Sequence, residues 1–296
     1  MLSGFVTIVG RTNAGKSTLI NQLIHTKISI ATPKPQTTRN AIQGIYNDDN
    51  SQIVFIDTPG ILIPHQKLDE YMNKEAYSSL SGIDAVILLV DASMGFNKEK
   101  DEPVALSLKK CECPMFVVFN KIDLTNVLLM ENLKKSYKEY FPDAKFIEIS
   151  ARNNVNCDLL ISEVKKVLPD GFAYYPDDYK SNHPLSFLVS EIIREKTLLY
   201  LDEEVPHCIA VKIEKMSKVN DCLEILATII CEKNSQKGII IGAQGRMIKK
   251  IGMSARKELE KMLDRKINLK TFVRVEENWR NSSSYLKEFG YKQDEE

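Results

Sequence analysis

The sequence has 296 residues, 43% hydrophobic and 27% charged. That is the balance of a globular protein of about two ordinary domains, which excludes a disordered or fibrous chain. Forty basic and forty acidic side chains cancel, so net charge neither excludes nor selects a partner. The six cysteines (Cys111, Cys113, Cys157, Cys208, Cys222, Cys231) contain no CxxC pair, which argues against a zinc site or a redox couple and for reduced, buried thiols.

In chain order, MLSGFVTIVG carries no cationic stretch before its apolar run and is expected to be a first strand rather than a signal peptide. No apolar run approaches the length of a membrane span. Short apolar runs recur at residues 5–9, 53–56, 85–90, 115–119 and 145–149. Each is rich in β-branched or aromatic residues and ends in a polar turn, as strands buried on both faces do. Residues 42–46 and 52–56, joined by Asn47-Asp48-Asp49-Asn50, predict a hairpin and hence one antiparallel strand at a sheet edge. Leu68, Met72, Ala76 and Leu80 repeat every four residues and so line one helix face. Residues 126–140 and 158–168 have the same period. Strands alternating with helices predict an α/β domain over residues 1–170, a doubly wound, mostly parallel sheet.

Residues 168–184 hold three prolines and three aspartates with little periodicity, and 171–184 is read as an interdomain linker. A second, smaller α+β domain is expected over 185–280. It comprises a helix at 187–200, strands at 208–214 and 222–232, an Ile-rich strand around 238–240, a long amphipathic helix from Met247 to about Leu263 and a last strand at 268–275. Residues 281–296 are read as a tail ending in solvated Asp294-Glu295-Glu296. Charge is unevenly spread. Between Lys237 and Lys270 stand ten Lys or Arg and only three acids, Glu258, Glu260 and Asp264.

Gly10-Arg11-Thr12-Asn13-Ala14-Gly15-Lys16-Ser17 fits GxxxxGK[ST], follows a predicted strand and opens an apolar-periodic segment (Leu19, Ile20, Leu23, Ile24). Its glycines let backbone N–H groups face phosphates, the following helix adds its positive N-terminal dipole, Lys16 neutralises β- and γ-phosphate charge, and Ser17 offers a hydroxyl to Mg²⁺. Asp57-Thr58-Pro59-Gly60 supplies a carboxylate for Mg²⁺ and the Gly60 N–H for the γ-phosphate. A DxxG arises about once per chain by chance, so its weight lies in its place after a strand. Asn120-Lys121-Ile122-Asp123 also ends a predicted strand. Asp123 can accept from N1–H and the 2-amino group of guanine, donors that adenine lacks, so ATP would strand a desolvated carboxylate at a cost of about 1–3 kcal/mol. Asn120 can meet the O6/N7 edge, and the Lys121 stem can cover the ring. Ser150-Ala151-Arg152 adds the Ala151 N–H toward O6. Together these motifs, each at a strand's C-terminal end, predict GTP and GDP as ligands and GTP hydrolysis as the reaction.

GRTNAGKS, QTTRN, DTPG, NKID and SAR, in this order, resemble the Era branch of the translation-factor-related GTPases. The resemblance implies that a threonine of Thr37-Thr38-Arg39 binds Mg²⁺ in switch I (about residues 32–40), with Thr38 favoured beside Ser17 and Asp57. Lys16, Thr38 and Gly60 are then the catalytic set, with switch II at about residues 61–73. Ile61 follows Gly60 where many GTPases carry a water-orienting Gln, so hydrolysis is expected to be slow. Relatives with a hydrophobic residue there imply a K⁺ ion held by the P-loop Asn. Asn13 either does this or only shapes the loop.

Ile241-Gly242-Ala243-Gln244-Gly245-Arg246 with Lys249 and Lys250 resembles the GxxG loop of a type II KH domain, which clamps about four nucleotides of single strand between two helices. With EIIREK at 191–196 and VEENWR…LKEFGY at the end, the Era resemblance spans nearly the whole chain. It implies a monomer that binds the 3′ region of 16S ribosomal RNA, assists assembly of the 30S subunit and resides in the cytoplasm. Ordered switches are expected to expose or cover the GxxG surface. An alternative reading is a GTPase whose basic face meets anionic membrane lipid at the inner face of the cell membrane. Another is an assembly factor with a structural nucleotide. The histidines (His25, His65, His183, His207) show no ligand-like spacing, and Trp279 either caps the core or stacks a base.

Overall fold

The computed structural model describes residues 1–34, 36–60 and 64–291. Two expected features, Ile61 and the acidic end at 294–296, lie outside the described residues. Contacts divide the chain into two compact units. One comprises Met1–Ala31, Thr38–Ile63 and Met72–Asn182, and the other Thr32–Thr37, Pro64–Tyr71 and His183–Glu296.

The first unit is built on six strands: β1 (Leu2–Val9), β2 (Ile42–Asp48), β3 (Ser51–Asp57), β4 (Ala85–Asp91), β5 (Met115–Asn120) and β6 (Lys145–Glu148). Their spatial order is β2-β3-β1-β4-β5-β6, with β2 antiparallel and the rest parallel. β3 is buried along its whole length and β4 all but its last residue, as strands covered on both faces must be. α1 (Lys16–Ile24), α2 (Lys67–Ser78), α3 (Lys98–Leu108), α4 (Val127–Tyr140) and α5 (Cys157–Lys165) are the alternating helices. The chain reverses its direction of winding at β1, so the C-terminal ends of β1 and β4 open a crevice where ligands of such sheets gather.

α3 carries no clear apolar period and contains Pro103, which hid it in the sequence. Its start is set by Asn97, whose side chain accepts the Lys100 N–H at 3.1 Å. The segment expected to be a free linker is instead laced to the first unit. The Ile45 N–H donates to the Lys180 carbonyl at 3.0 Å, Gln52 Nε2 donates to the Tyr175 carbonyl at 2.8 Å, and the Phe5 and Tyr174 rings lie 4.6 Å apart. β2 is an edge strand with unpaired backbone groups, and residues 174–181 satisfy part of that edge.

The second unit contains α6 (Leu185–Tyr200), β7 (Ala210–Val219), β8 (Cys222–Cys231), α7 (Asn234–Ile241), α8 (Arg246–Leu263), β9 (Lys266–Val275) and α9 (Ser283–Glu288). The sheet runs β7-β8-β9, antiparallel then parallel. Val189, Ile192 and Ile193 of α6 pack with Ile251, Ala255 and Leu259 of α8 over Leu223, Ile225, Ala227 and Ile229 of β8. Two expectations are corrected here. The Ile-rich run before Gly242 is helix, not strand: the Gln236 side chain accepts the Glu232 and Lys233 N–H groups, closing the first turn, and Gln236 and Ile240, four residues apart, are buried while Gly238 and Ile239 between them are exposed, the spacing of one helix face. Nor are residues 281–291 a loose tail. Leu286, Phe289 and Tyr291 are buried, and the Tyr291 ring stacks on Trp279. Trp279 is fully buried and its Nε1–H donates to the Cys208 carbonyl at 2.9 Å, so it serves the core.

Candidate functional site: nucleotide crevice and GxxG segment

The loop after β1 wraps around Lys16. Its buried ammonium donates to the carbonyls of Gly10 (3.0 Å) and Arg11 (3.1 Å). Burial pushes this ammonium below the ordinary lysine range, and the nearby Asp57 carboxylate opposes the shift. Gly15 has φ of +100°, and a Cβ there would stand 2.4 Å from Asn120 Nδ2. Both facts demand glycine. Asn13 has φ of 64°, a conformation that Asn tolerates better than most residues, and its carbonyl accepts from Lys121 Nζ at 2.9 Å.

Ser17, Thr38 and Asp57 converge. Ser17 Oγ is 2.8 Å from Asp57 Oδ2 and 2.9 Å from Thr38 Oγ1, and Ser29 Oγ also donates to Asp57 Oδ2 at 2.8 Å. Burial pushes the Asp57 carboxyl up, with Lys16 and the hydroxyls pulling the other way. Its Oδ1 is buried without a hydrogen-bond partner among the described residues. An orphaned carboxylate oxygen beside two hydroxyls is a hard, all-oxygen donor set, which fits Mg²⁺. The hydroxyl of the adjacent Thr37 is taken up elsewhere, by Thr32 Oγ1 and the Lys34 carbonyl, each at 2.7 Å. Thr58 donates to the Ile8 carbonyl at 2.9 Å and so ties this loop to β1. A Cβ placed on Gly60 would lie 2.8 Å from Thr12 Cγ2, so the DTPG turn runs close against the P-loop.

At the base-reading end the structure revises one expectation. Asn120 is buried, its Nδ2 donates to the Ala14 carbonyl at 2.9 Å, and its Oδ1 accepts the Ala151 N–H at 2.9 Å. The amide therefore fastens the P-loop to the SAR turn rather than facing the O6/N7 edge, and the Ala151 N–H is spent on it. Asp123 is exposed, with Oδ1 held by Ser150 Oγ at 2.5 Å, which leaves Oδ2 to accept from a purine. Lys121 pairs with Asp91 at 2.5 Å.

Asp91, Ser29 and Asp101 join the site without any signal in the sequence motifs. Asp101 accepts from Arg11 Nη1 through both oxygens at 3.2 Å and from the Asn97 N–H at 2.7 Å. None belongs to a short motif, and each acts through a residue distant in sequence, so only its position at the crevice marks it.

In the second unit α7 ends at Gly242 (φ +69°), where a Cβ would meet Met247 Cβ at 2.7 Å. Gly245 (φ +74°) opens α8. Ala243, Gln244, Arg246, Lys249 and Lys250 are exposed and Ile241 is half-buried. Lys250 Nζ also lies 4.2 Å from the Tyr200 ring centroid. Among the described residues, no group of three or more His, Cys, Asp or Glu could hold a metal, and no helix is long and apolar enough to cross a membrane.

Comparison with known proteins bears on this arrangement. The family profile described as "50S ribosome-binding GTPase" matches residues 5–121, and a "KH domain" profile matches 204–280. The GTPase Era of Caldicellulosiruptor saccharolyticus is 47% identical over 98% of this chain and 97% of its own length. That of Clostridium acetobutylicum is 47% identical over 98% of both chains. The chain belongs to the Era family of GTPases. Two solved Era structures match it at a TM-score of 0.94. One, from Aquifex aeolicus, is a tyrosine-to-alanine variant bound to GDP·AlF4⁻, 37% identical over 99% of this chain and 100% of its own. The other is in complex with MgGDPNP and nucleotides 1506–1542 of 16S ribosomal RNA, 38% identical with the same coverage. This Era-family chain is therefore a GTPase, a P-loop domain of mostly parallel sheet followed by a KH domain.

Proposed function

We propose that this chain is a GTP-driven switch that binds the 3′ region of 16S ribosomal RNA through its GxxG segment and assists assembly of the small ribosomal subunit in the cytoplasm. The observation that carries the RNA half is the GxxG turn itself: two glycines of positive φ flanked by exposed Arg246, Lys249 and Lys250. Such a turn lets a phosphate backbone approach between two helices, and an Era relative is known in complex with a 16S fragment.

For the GTPase half, Ser17, Thr38 and Asp57 are assigned to Mg²⁺, which when bound would neutralise charge developing on the β- and γ-phosphates. Lys16 would add a second cation for the β- and γ-phosphates, the Gly60 N–H would hold the γ-phosphate, and Asp123 would read guanine. Residues 10–17, 57–61, 120–123, Ser150 and Ala151 make up the nucleotide site. Ile61 has no group with which to orient a water, so intrinsic turnover is slow. Asn13 either holds K⁺ or only shapes the P-loop, to which its left-handed backbone is suited. Turnover that rises when K⁺ replaces Na⁺, and loses that rise in Asn13→Ala, assigns the ion.

On this reading the ordering of switch I and switch II by the γ-phosphate changes RNA affinity. The test is the affinity of the full chain for the 1506–1542 fragment with GDP and with a non-hydrolysable GTP analogue. A difference is expected, and identical values remove the switch.

A further inference from the structure

The two long helices of the second unit, α6 and α8, pack on one face of its sheet. On β9, Ile267, Leu269, Val273 and Val275 join the core, so the alternate residues Lys266, Asn268, Lys270 and Phe272 point to the opposite face, and all four are exposed. On β8, Leu223, Ile225, Ala227 and Ile229 face the core, which leaves Glu224, Leu226 and Thr228 on the same outer face. The register places Lys212, Thr228 and Phe272 in one row and Lys215, Leu226 and Lys270 in the next.

Phe272 is 54% exposed. Lys270 and Arg274 flank it two positions away along β9, about 7 Å in each direction, and Lys212 lies across Thr228. Arg274 and Lys212 are held by Glu288 of α9, which covers one end of this face. Lys215 and Lys270 make no ion pair among the described residues. Glu224 and Glu214 are the acids that β7 and β8 bring near. An aromatic ring lying open on a sheet, with unpaired Lys270 two positions away on β9 and Lys215 in the same row as Lys270, is the chemistry of base stacking: the ring takes any base face, and these two ammonium groups take adjoining phosphates. β9 is an edge strand and lies beneath α8, with Thr271 Oγ1 3.4 Å from the Cβ position of Gly252. A strand leaving the GxxG turn reaches the outer face by passing one edge.

We propose that this outer sheet face is a second single-stranded RNA surface, with Phe272 as its stacking platform and Lys270 and Lys215 as its phosphate contacts. The proposal rests on the RNA-binding reading above and extends it to a face the GxxG segment does not occupy.

The test uses the full chain and the 1506–1542 fragment of 16S RNA, with affinity read by fluorescence anisotropy. Phe272 is exposed, so its variants are expected to fold, which thermal unfolding checks. Phe272→Ala is expected to weaken binding about 5- to 100-fold. Phe272→Trp should keep the affinity and show indole quenching on titration, and Phe272→Leu should lose it despite its apolar bulk. Lys270→Ala should flatten the salt dependence. Gly245→Asp serves as the comparison. Loss in Gly245→Asp with none in Phe272→Ala overturns the second surface and leaves the GxxG reading standing, whereas failure of the unaltered chain to bind overturns both. Unchanged RNA affinity with an altered sedimentation coefficient in Phe272→Ala would assign the face to a second copy of the chain and likewise overturn the proposal.

Discussion

In the nucleotide crevice the polar groups are buried and already bonded to one another. Lys16 holds two P-loop carbonyls, Asp57 holds two serines, and Asn120 spans Ala14 and Ala151. In the GxxG segment Ala243, Gln244, Arg246 and Lys249 stand in solvent. The first arrangement suits a small, invariant ligand whose developing charge must meet fixed dipoles without reorganisation. The second suits a long polyanion read by shape and charge, for which adjustable lysines on one rigid helix suffice. Substitutions should therefore be sharp and nucleotide-specific in the first region, and graded and salt-dependent in the second.

The largest expected break is Asp123→Ala. With the carboxylate gone, the penalty on adenine disappears, and the preference for GTP over ATP should fall by about 10- to 100-fold, equivalent to about 1–3 kcal/mol. Calorimetry with both nucleotides reads this directly, and an undiminished preference would remove guanine recognition from this residue.

A smaller effect sharpens the bracing role of Asn120. Asn120→Ala leaves the buried Ala14 carbonyl and Ala151 N–H without their shared partner, so the first unit should lose about 1–3 kcal/mol and GTP and GDP should weaken alike. If Asn120 instead touched the base, thermal stability without nucleotide would be unchanged and only guanine selectivity would move.

The smallest effect lies in the second region. Lys249→Ala should lower the slope of log affinity against log salt by about 0.7 for single-stranded RNA, with GTP binding unaltered. An unchanged slope would place Lys249 outside the phosphate path.

Much of this is legible in the residues alone. GRTNAGKS and NKID name their chemistry because phosphate cradling and guanine reading need fixed residue types at fixed short spacing, DTPG gains its meaning from its place after a strand, and the all-apolar runs at 85–90 and 115–119 announce strands buried on both faces. α3 escapes because Pro103 and a run of charges break its period. The helix before Gly242 reads as a strand because three consecutive isoleucines carry β propensity and little periodicity, and only the closure of its first turn by Gln236 settles the matter.

The sequence by itself determined the ligand class, the order of motifs along the sheet edge and the division into a GTPase and an RNA-binding domain, since these depend on local patterns read within a few residues. Tertiary structure alone decided that Asn120 is a brace, that Asp101 anchors Arg11, that residues 174–181 close the β2 edge, and that residues 281–291 complete a core around Trp279. Each joins groups far apart in the chain. Burial and hydrogen-bond saturation are properties of the folded arrangement, and no short window of sequence contains both partners.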